Sequence, residues 1–173
     1  MKKIFAICGS TKASSANLLY IAAITKLLGT EYEVVTLSSI ADLPHFNPDL
    51  DTDDAPQSVL LLRKNISLAD GILICTPEYA MGLPGSLKNV LDWTVSSASF
   101  SKKPVLALVA SLQGEKAYQS LIDVLTVIEA RVHAQLIPFA KTKINFEATI
   151  TDSETLSELK TTLGQFVASL SNE

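Results

Sequence analysis

The chain is poor in cysteine, histidine and tryptophan, with two, two and one among 173 residues. Cys8 and Cys75 lie too far apart for a CxxC redox pair, and each closes a short apolar run. Both are expected as buried free thiols, which suits a reducing, cytoplasmic compartment. His45 and His133 offer no ligand spacing for zinc. No G-x-S-x-G elbow occurs, so hydrolase chemistry lacks its nucleophile. Basic excess is missing too: 14 Lys and Arg against 18 Asp and Glu give a net charge of −4, with no basic stripe for nucleic acid. No stretch approaches the ~20 apolar residues that span a bilayer. The run after Met1-Lys2-Lys3 stops at Gly9, short of the roughly 7–15 apolar residues of a secretory signal. Bulky Ile7 before Cys8 also argues against a lipoprotein. The only charge run, Asp49 to Asp54, reads as a solvated loop, with a metal site as the alternative.

What is present is apolar residue in quantity, 47% of the chain, ample for a full core. The length fits one domain, residues 1–173. Continuous apolar runs at 4–8, 72–75 and 105–110 predict parallel strands buried on both faces. Residues 33–37 and 134–139 are weaker strand candidates. Helical spacing marks Leu156, Leu159, Leu163, Phe166, Val167 and Leu170, and again Ala117, Leu121, Val124, Leu125 and Ile128. Residues 17–28 are apolar over a wide arc and end at Gly29, a helix stop. Strands alternating with helices predict an α/β, flavodoxin-like three-layer sandwich. Its five-stranded parallel sheet has order 2-1-3-4-5 with helices on both faces. Ligands in such sheets sit beyond the carboxyl ends of the strands, where the strand order reverses. Attention therefore falls on the loops after strands one, three and four.

After the first strand comes Gly9-Ser10-Thr11-Lys12-Ala13-Ser14-Ser15-Ala16-Asn17, and then a helix begins. A phosphate here would meet free backbone N–H groups and the positive end of the helix dipole. Ser10, Thr11, Ser14, Ser15 and Asn17 add short donors, and Lys12 adds a charge. An ordinary Ser-capped helix start is the competing reading. Neither a Walker loop nor a G-x-G-x-x-G fingerprint occurs at this junction, so a mononucleotide fits better than ATP or a Rossmann-bound dinucleotide. The third strand leads into Pro77-Glu78-Tyr79-Ala80-Met81-Gly82-Leu83-Pro84-Gly85, with Pro84 expected as the first helical residue. Pro77 and Gly82 are expected to hold a turn that exposes backbone amides, with Tyr79 at its tip as ring contact or plain surface aromatic.

These two segments resemble the NADPH-dependent FMN reductase family, which includes quinone, azo-dye and chromate reductases. In the family's G-S-x-R-x-x-S-x-N loop, Gly9, Ser10, Ser15 and Asn17 match and Lys12 stands for Arg. In P-E-Y-N-x-x-x-P-G-x-L-K-N-x-x-D-W, the matches are Pro77, Glu78, Tyr79, Pro84, Gly85, Leu87, Lys88, Asn89, Asp92 and Trp93. Residues 43–49 also look like the family's connection after strand two. The resemblance implies that Ser10, Lys12, Ser15, Ala16 and Asn17 hold the phosphate of FMN. It implies that Pro77, Glu78, Tyr79, Ala80 and Met81, with Ser111 from the fourth loop, line the isoalloxazine ring. Lys88, Asn89, Asp92 and Trp93 are expected to be structural. Three departures stand out: Lys12 for Arg, Ala80 for Asn, and a short, glycine-poor loop over 111–116.

The implied activity is an NAD(P)H oxidoreductase, with NADPH or NADH as reductant and a quinone, flavin or similar small acceptor. The implied assembly is a homodimer or homotetramer. Because the flavin carries the chemistry, no catalytic side chain is named. A flavodoxin-type electron carrier without NAD(P)H turnover and a scaffold that has lost its cofactor are the alternatives. The first loop lacks a carrier's S/T-x-T-G-x-T pattern.

Overall fold

Strands with apolar side chains on both faces take the centre of the sheet. The computed structural model describes residues 1–171, so the last two positions of the expected domain lie outside the described residues. Strands β1 (Lys2–Cys8), β2 (Tyr32–Thr36), β3 (Gly71–Thr76), β4 (Pro104–Ala110) and β5 (Arg131–Ile137) pair in parallel in the order 2-1-3-4-5. Every residue of β3 and β4 is buried, whereas β2 and β5 are only partly so. The two weaker strand expectations are thus the two sheet edges, displaced by one to three residues from their expected bounds.

Helices α1 (Ala16–Leu28) and α5 (Ser153–Ser169) cover one face. Helices α2 (Gln57–Leu68), α3 (Gly85–Asp92) and α4 (Glu115–Val127) cover the other. The two-residue period of a strand divides the core between them. Ile4, Ala6, Cys8, Leu73 and Cys75 pack toward α1 and α5, while Phe5, Ile7, Ile72 and Ile74 pack toward the opposite layer. The expected stripe on α5 is realised in Leu159, Leu163 and Phe166, which are buried within the helix. Each fully buried side chain of this size contributes about 1.5–3 kcal/mol before ordering costs. Gly29 ends α1 with φ +72°, as its expected stop position requires. Pro84 precedes α3 as its cap rather than opening it.

The long connection between β2 and α2 is tied down by the end of α3. Asn89 accepts the Phe46 N–H at 2.7 Å and donates to the Pro44 carbonyl at 2.9 Å, which also accepts from Trp93 Nε1 at 2.8 Å. Phe46 meets the fully buried Trp93 ring edge-on at 5.0 Å. Arg63 donates to the Trp93 carbonyl and pairs with Asp51, which also accepts from Ser96 Oγ. Asp51 is therefore not the merely solvated acid expected of its run. The Arg63 guanidinium holds its carboxyl below the usual carboxylate range. Among the described residues no group of His, Cys, Asp and Glu could hold a metal ion. No helix among them is long and apolar enough to cross a membrane.

Candidate functional site

Parallel pairing brings the carboxyl ends of all five strands to one edge. A cavity of about 600 Å³ opens there, within the usual 300–1,000 Å³ of small-molecule sites. Its walls are the loops after β1, β3, β4 and β5.

Gly9 allows the first loop to leave the sheet beside β3. A Cβ at Gly9 would lie 2.2 Å from Thr76 Oγ1 and 2.5 Å from Thr76 Cβ, and its own N–H donates to the Cys75 carbonyl at 2.8 Å. Ser15 caps α1, its Oγ accepting from the Asn17 N–H, while the Ser15 N–H donates to the Lys12 carbonyl and the Leu18 N–H to the Ser15 carbonyl, both at 3.1 Å. Ser10, Lys12, Ser15, Ala16 and Asn17 all line the cavity, joined by Ser14 but not by Thr11. Lys12 is exposed and has no ion pair among the described residues. Asn17 is mostly committed inward: its amide donates to Ser15 Oγ and its carbonyl oxygen accepts from the Cys75 thiol at 3.2 Å. One amide N–H of Asn17 remains for a ligand.

Pro77, Glu78 and Tyr79 line the opposite side, with Ser111 beside them. Ala80 and Met81, expected beside them, lie outside the lining. Tyr79 and Gly82 exchange hydrogen bonds at 3.0 and 3.1 Å, and the two residues between them have φ of +48° and +61°. This is a two-residue hairpin of the primed kind, and its exposed tip is Ala80-Met81 rather than Tyr79. Asn tolerates that left-handed geometry better than Ala does. The Tyr79 hydroxyl instead reaches across to Ser10 Oγ at 3.1 Å, joining the two loops.

Glu78 has a second attachment. Its N–H donates to Ser111 Oγ at 3.1 Å, so this backbone amide is not free. Its carboxylate accepts from the Lys116 and Ala117 N–H groups at 2.9 and 3.0 Å, at the start of α4. Helix α4 begins at Glu115, which shortens the expected loop of 111–116 to four residues. Lys88 and Asp92 form an ion pair along α3 away from the cavity lining, and His45 is exposed and outside it.

The wall after β5 was missed by sequence reasoning. Phe139 N–H donates to the Leu112 carbonyl at 3.1 Å and Ala140 N–H to the Ser111 carbonyl at 2.9 Å. These bonds, with the Tyr20 hydroxyl on the Ala140 carbonyl at 2.9 Å, seat the segment against the fourth loop and α1. Phe139 has φ +53°, uncommon for a bulky residue, and is 58% exposed at the cavity. A bridge between Ile144 and Ile150 carries Phe146 at the cavity edge, 97% exposed. The strand-end rule contained the signal, since a fifth parallel strand must also deliver its following loop to this edge.

Beneath the loops, Cys8 and Cys75 stand in register on neighbouring strands, both free and buried. Burial pushes both thiols up, and for Cys8 it outweighs hydrogen bonds to Ser10 and Ser15. The cavity thus offers an end at α1 lined by Ser10, Ser14, Ser15 and the charge of Lys12, and apolar walls of Pro77, Leu112 and Phe139.

Residues 2–142 match the profile of NADPH-dependent FMN reductases. The chain belongs to that family. This member of the NADPH-dependent FMN reductases is 32% identical over 136 residues to the quinone reductase of Escherichia coli, covering 75% of this chain and 72% of that protein. It is 31% identical over 173 residues to the NADH:(hydroxy)cinnamate reductase subunit CrdA of Vibrio ruber, covering 94% and 84%. Among solved structures it resembles FerB, the flavoenzyme NAD(P)H:(acceptor) oxidoreductase of Paracoccus denitrificans. That likeness has a TM-score of 0.84 and 28% identity over 98% of this chain and 97% of that one.

Proposed function

We propose that this chain is an NAD(P)H oxidoreductase that binds FMN and delivers electrons to a quinone or a similar flat acceptor. The observation that carries the reading is the division of one cavity into a phosphate-like end and an apolar end. The residues fit FMN. Ser10, Lys12, Ser15, Ala16 and one N–H of Asn17 would hold the phosphate, where the α1 dipole and the lysine charge add together. Pro77, Tyr79 and Ser111 would border the ring, with Leu112 and Phe139 added to the expected set. When bound, FMN supplies two-electron chemistry with NADPH or NADH as reductant. The chain contributes binding, orientation and exclusion of water, and no side-chain acid or nucleophile is required.

The acceptor's character follows from the rim. Phe139, Leu112 and Phe146 present apolar area around the mouth, which favours flat aromatic acceptors over hydrated metal oxyanions. The same proposal holds that residues 1–173 are one domain working as a homodimer or homotetramer. Phe146 together with the exposed Phe139 and Leu112 makes an apolar patch of the kind a second copy would cover. Two unpaired thiols suit a cytoplasmic setting.

The test is a visible spectrum of the purified protein with added FMN, followed by NADPH without oxygen. Bands near ~450 nm that bleach on NADPH addition support the reductase, because binding and hydride transfer then appear together. Bound flavin that bleaches with neither NADPH nor NADH indicates an electron carrier, and no uptake of flavin removes both readings.

A further inference from the structure

Helix α4 has an N-cap that cannot cap. Gly114 takes φ +105°, and a Cβ there would lie 2.8 Å from Leu136 Cδ1 and 3.0 Å from Val109 Cγ1. A Ser, Thr, Asp or Asn would be strained at that position, and glycine has no side chain to cap with, so the first-turn N–H groups need an acceptor from elsewhere. Glu78 supplies it from 38 and 39 residues earlier in the chain, its Oε2 accepting from Lys116 and Ala117. The exchange is reciprocal, since the Glu78 N–H donates to Ser111 Oγ in the loop that leads to the helix. A capping box normally lies within one helix start. Here its two halves belong to two neighbouring loops of the cavity wall, those after β3 and β4.

We propose that Glu78 is a positioning residue, whose carboxylate clasps the loop of 77–82 to the start of α4 and so fixes the shape of the wall against which the flavin ring would lie. The inference rests on the FMN reading above. It assigns Glu78 neither proton transfer nor ring contact through its carboxylate, because that group is committed to two backbone amides. With the clasp closed, Pro77 and Tyr79 stand at one spacing from Ser111 and Leu112 before any ligand arrives. With it open, only a fraction of molecules holds that spacing, and apparent affinity falls by that fraction.

The experiment compares wild type, Glu78→Gln and Glu78→Ala by FMN titration and by amide hydrogen exchange along α4, with and without FMN. Glu78→Ala is expected to weaken FMN binding about tenfold, and Glu78→Gln, which keeps an oxygen acceptor, by less than about threefold. In wild type, FMN is expected to slow exchange at Lys116 and Ala117. In Glu78→Ala that FMN effect disappears while Leu121 and Leu125 remain protected, which shows that the helix itself persists. Equal FMN affinity in Glu78→Ala and wild type, with only a lower melting temperature, makes Glu78 a plain helix cap and overturns the proposal. If Glu78→Ala fails to fold, Glu78→Gln decides: FMN-dependent slowing retained at the same two amides with affinity within about threefold of wild type supports the clasp, and slowing lost with affinity unchanged overturns it. Slowing that is absent in wild type overturns it. Wild type that takes up no FMN overturns the functional reading and this one together.

Discussion

The connection between β2 and α2 and the segment after β5 are both irregular, yet they are built in opposite ways. In the first, polar groups are turned on one another: Pro44, Phe46, Asn89, Trp93, Arg63 and Asp51 form one bonded cluster around a fully buried indole. In the second, Phe139 holds a left-handed backbone with its ring half in solvent, and Phe146 is almost fully exposed. Satisfied groups hold a loop shut, whereas exposed apolar rings leave a place for something else. Half of the chain's most specific motif, Leu87 to Trp93, therefore belongs to scaffold, and only Pro77 to Tyr79 belongs to the cavity.

The contrast is broken most forcefully at its closed end. Trp93→Ala removes the ring, its bond to Pro44 and its contact with Phe46, and is expected to cost about 3–5 kcal/mol in urea unfolding. A near-wild-type midpoint would mean that the connection is not held by this cluster. At the cavity the effect moves from stability to affinity. Lys12→Ala is expected to weaken FMN binding by about 10–100-fold, the loss of one charge-assisted bond. The apo protein should unfold at the same midpoint. Lys12→Arg sharpens the test, since a bidentate guanidinium should bind FMN more tightly than wild type in the same titration.

Phe139→Asn tests whether the open rim carries strain for function. Asn accepts φ > 0 more readily, so apo stability should rise by about 1 kcal/mol while KM for an aromatic quinone increases. A destabilised variant with unchanged KM would make Phe139 an ordinary packing residue. The smallest effect concerns acid. Arg63 depresses the Asp51 carboxyl in the folded state, so the unfolded chain binds the proton more readily. The pair's contribution is full above the ordinary carboxylate value of about 3.9 and is lost as pH falls through the depressed one. Asp51→Asn should flatten the acid limb of a plot of Tm against pH and lower Tm near neutrality.

The centre of the sheet was legible because β3 and β4 are buried along their whole length and β1 nearly so, leaving unbroken apolar runs. The edges were blurred because β2 and β5 mix exposed and covered positions. Helix α2 was not located, although Val59, Leu62 and Ile66 form its buried stripe. Leu60 and Leu61 fill the positions between and mask the period. The phosphate-like loop was read from residue type and spacing alone. What escaped was conformation: nothing in the letters Ala80-Met81 announces a left-handed turn, and nothing in Glu78 announces a partner on α4. Both depend on which loops the sheet brings together.

The register of Cys8 with Cys75 bears on the chemistry proposed for this edge of the sheet. Quinones are electrophiles, and the species they alkylate is the thiolate. Lying buried under the loops, where desolvation disfavours the thiolate, the two sulfurs are held away from such reagents. A catalyst of the proposed kind would thereby keep its own nucleophiles from becoming targets.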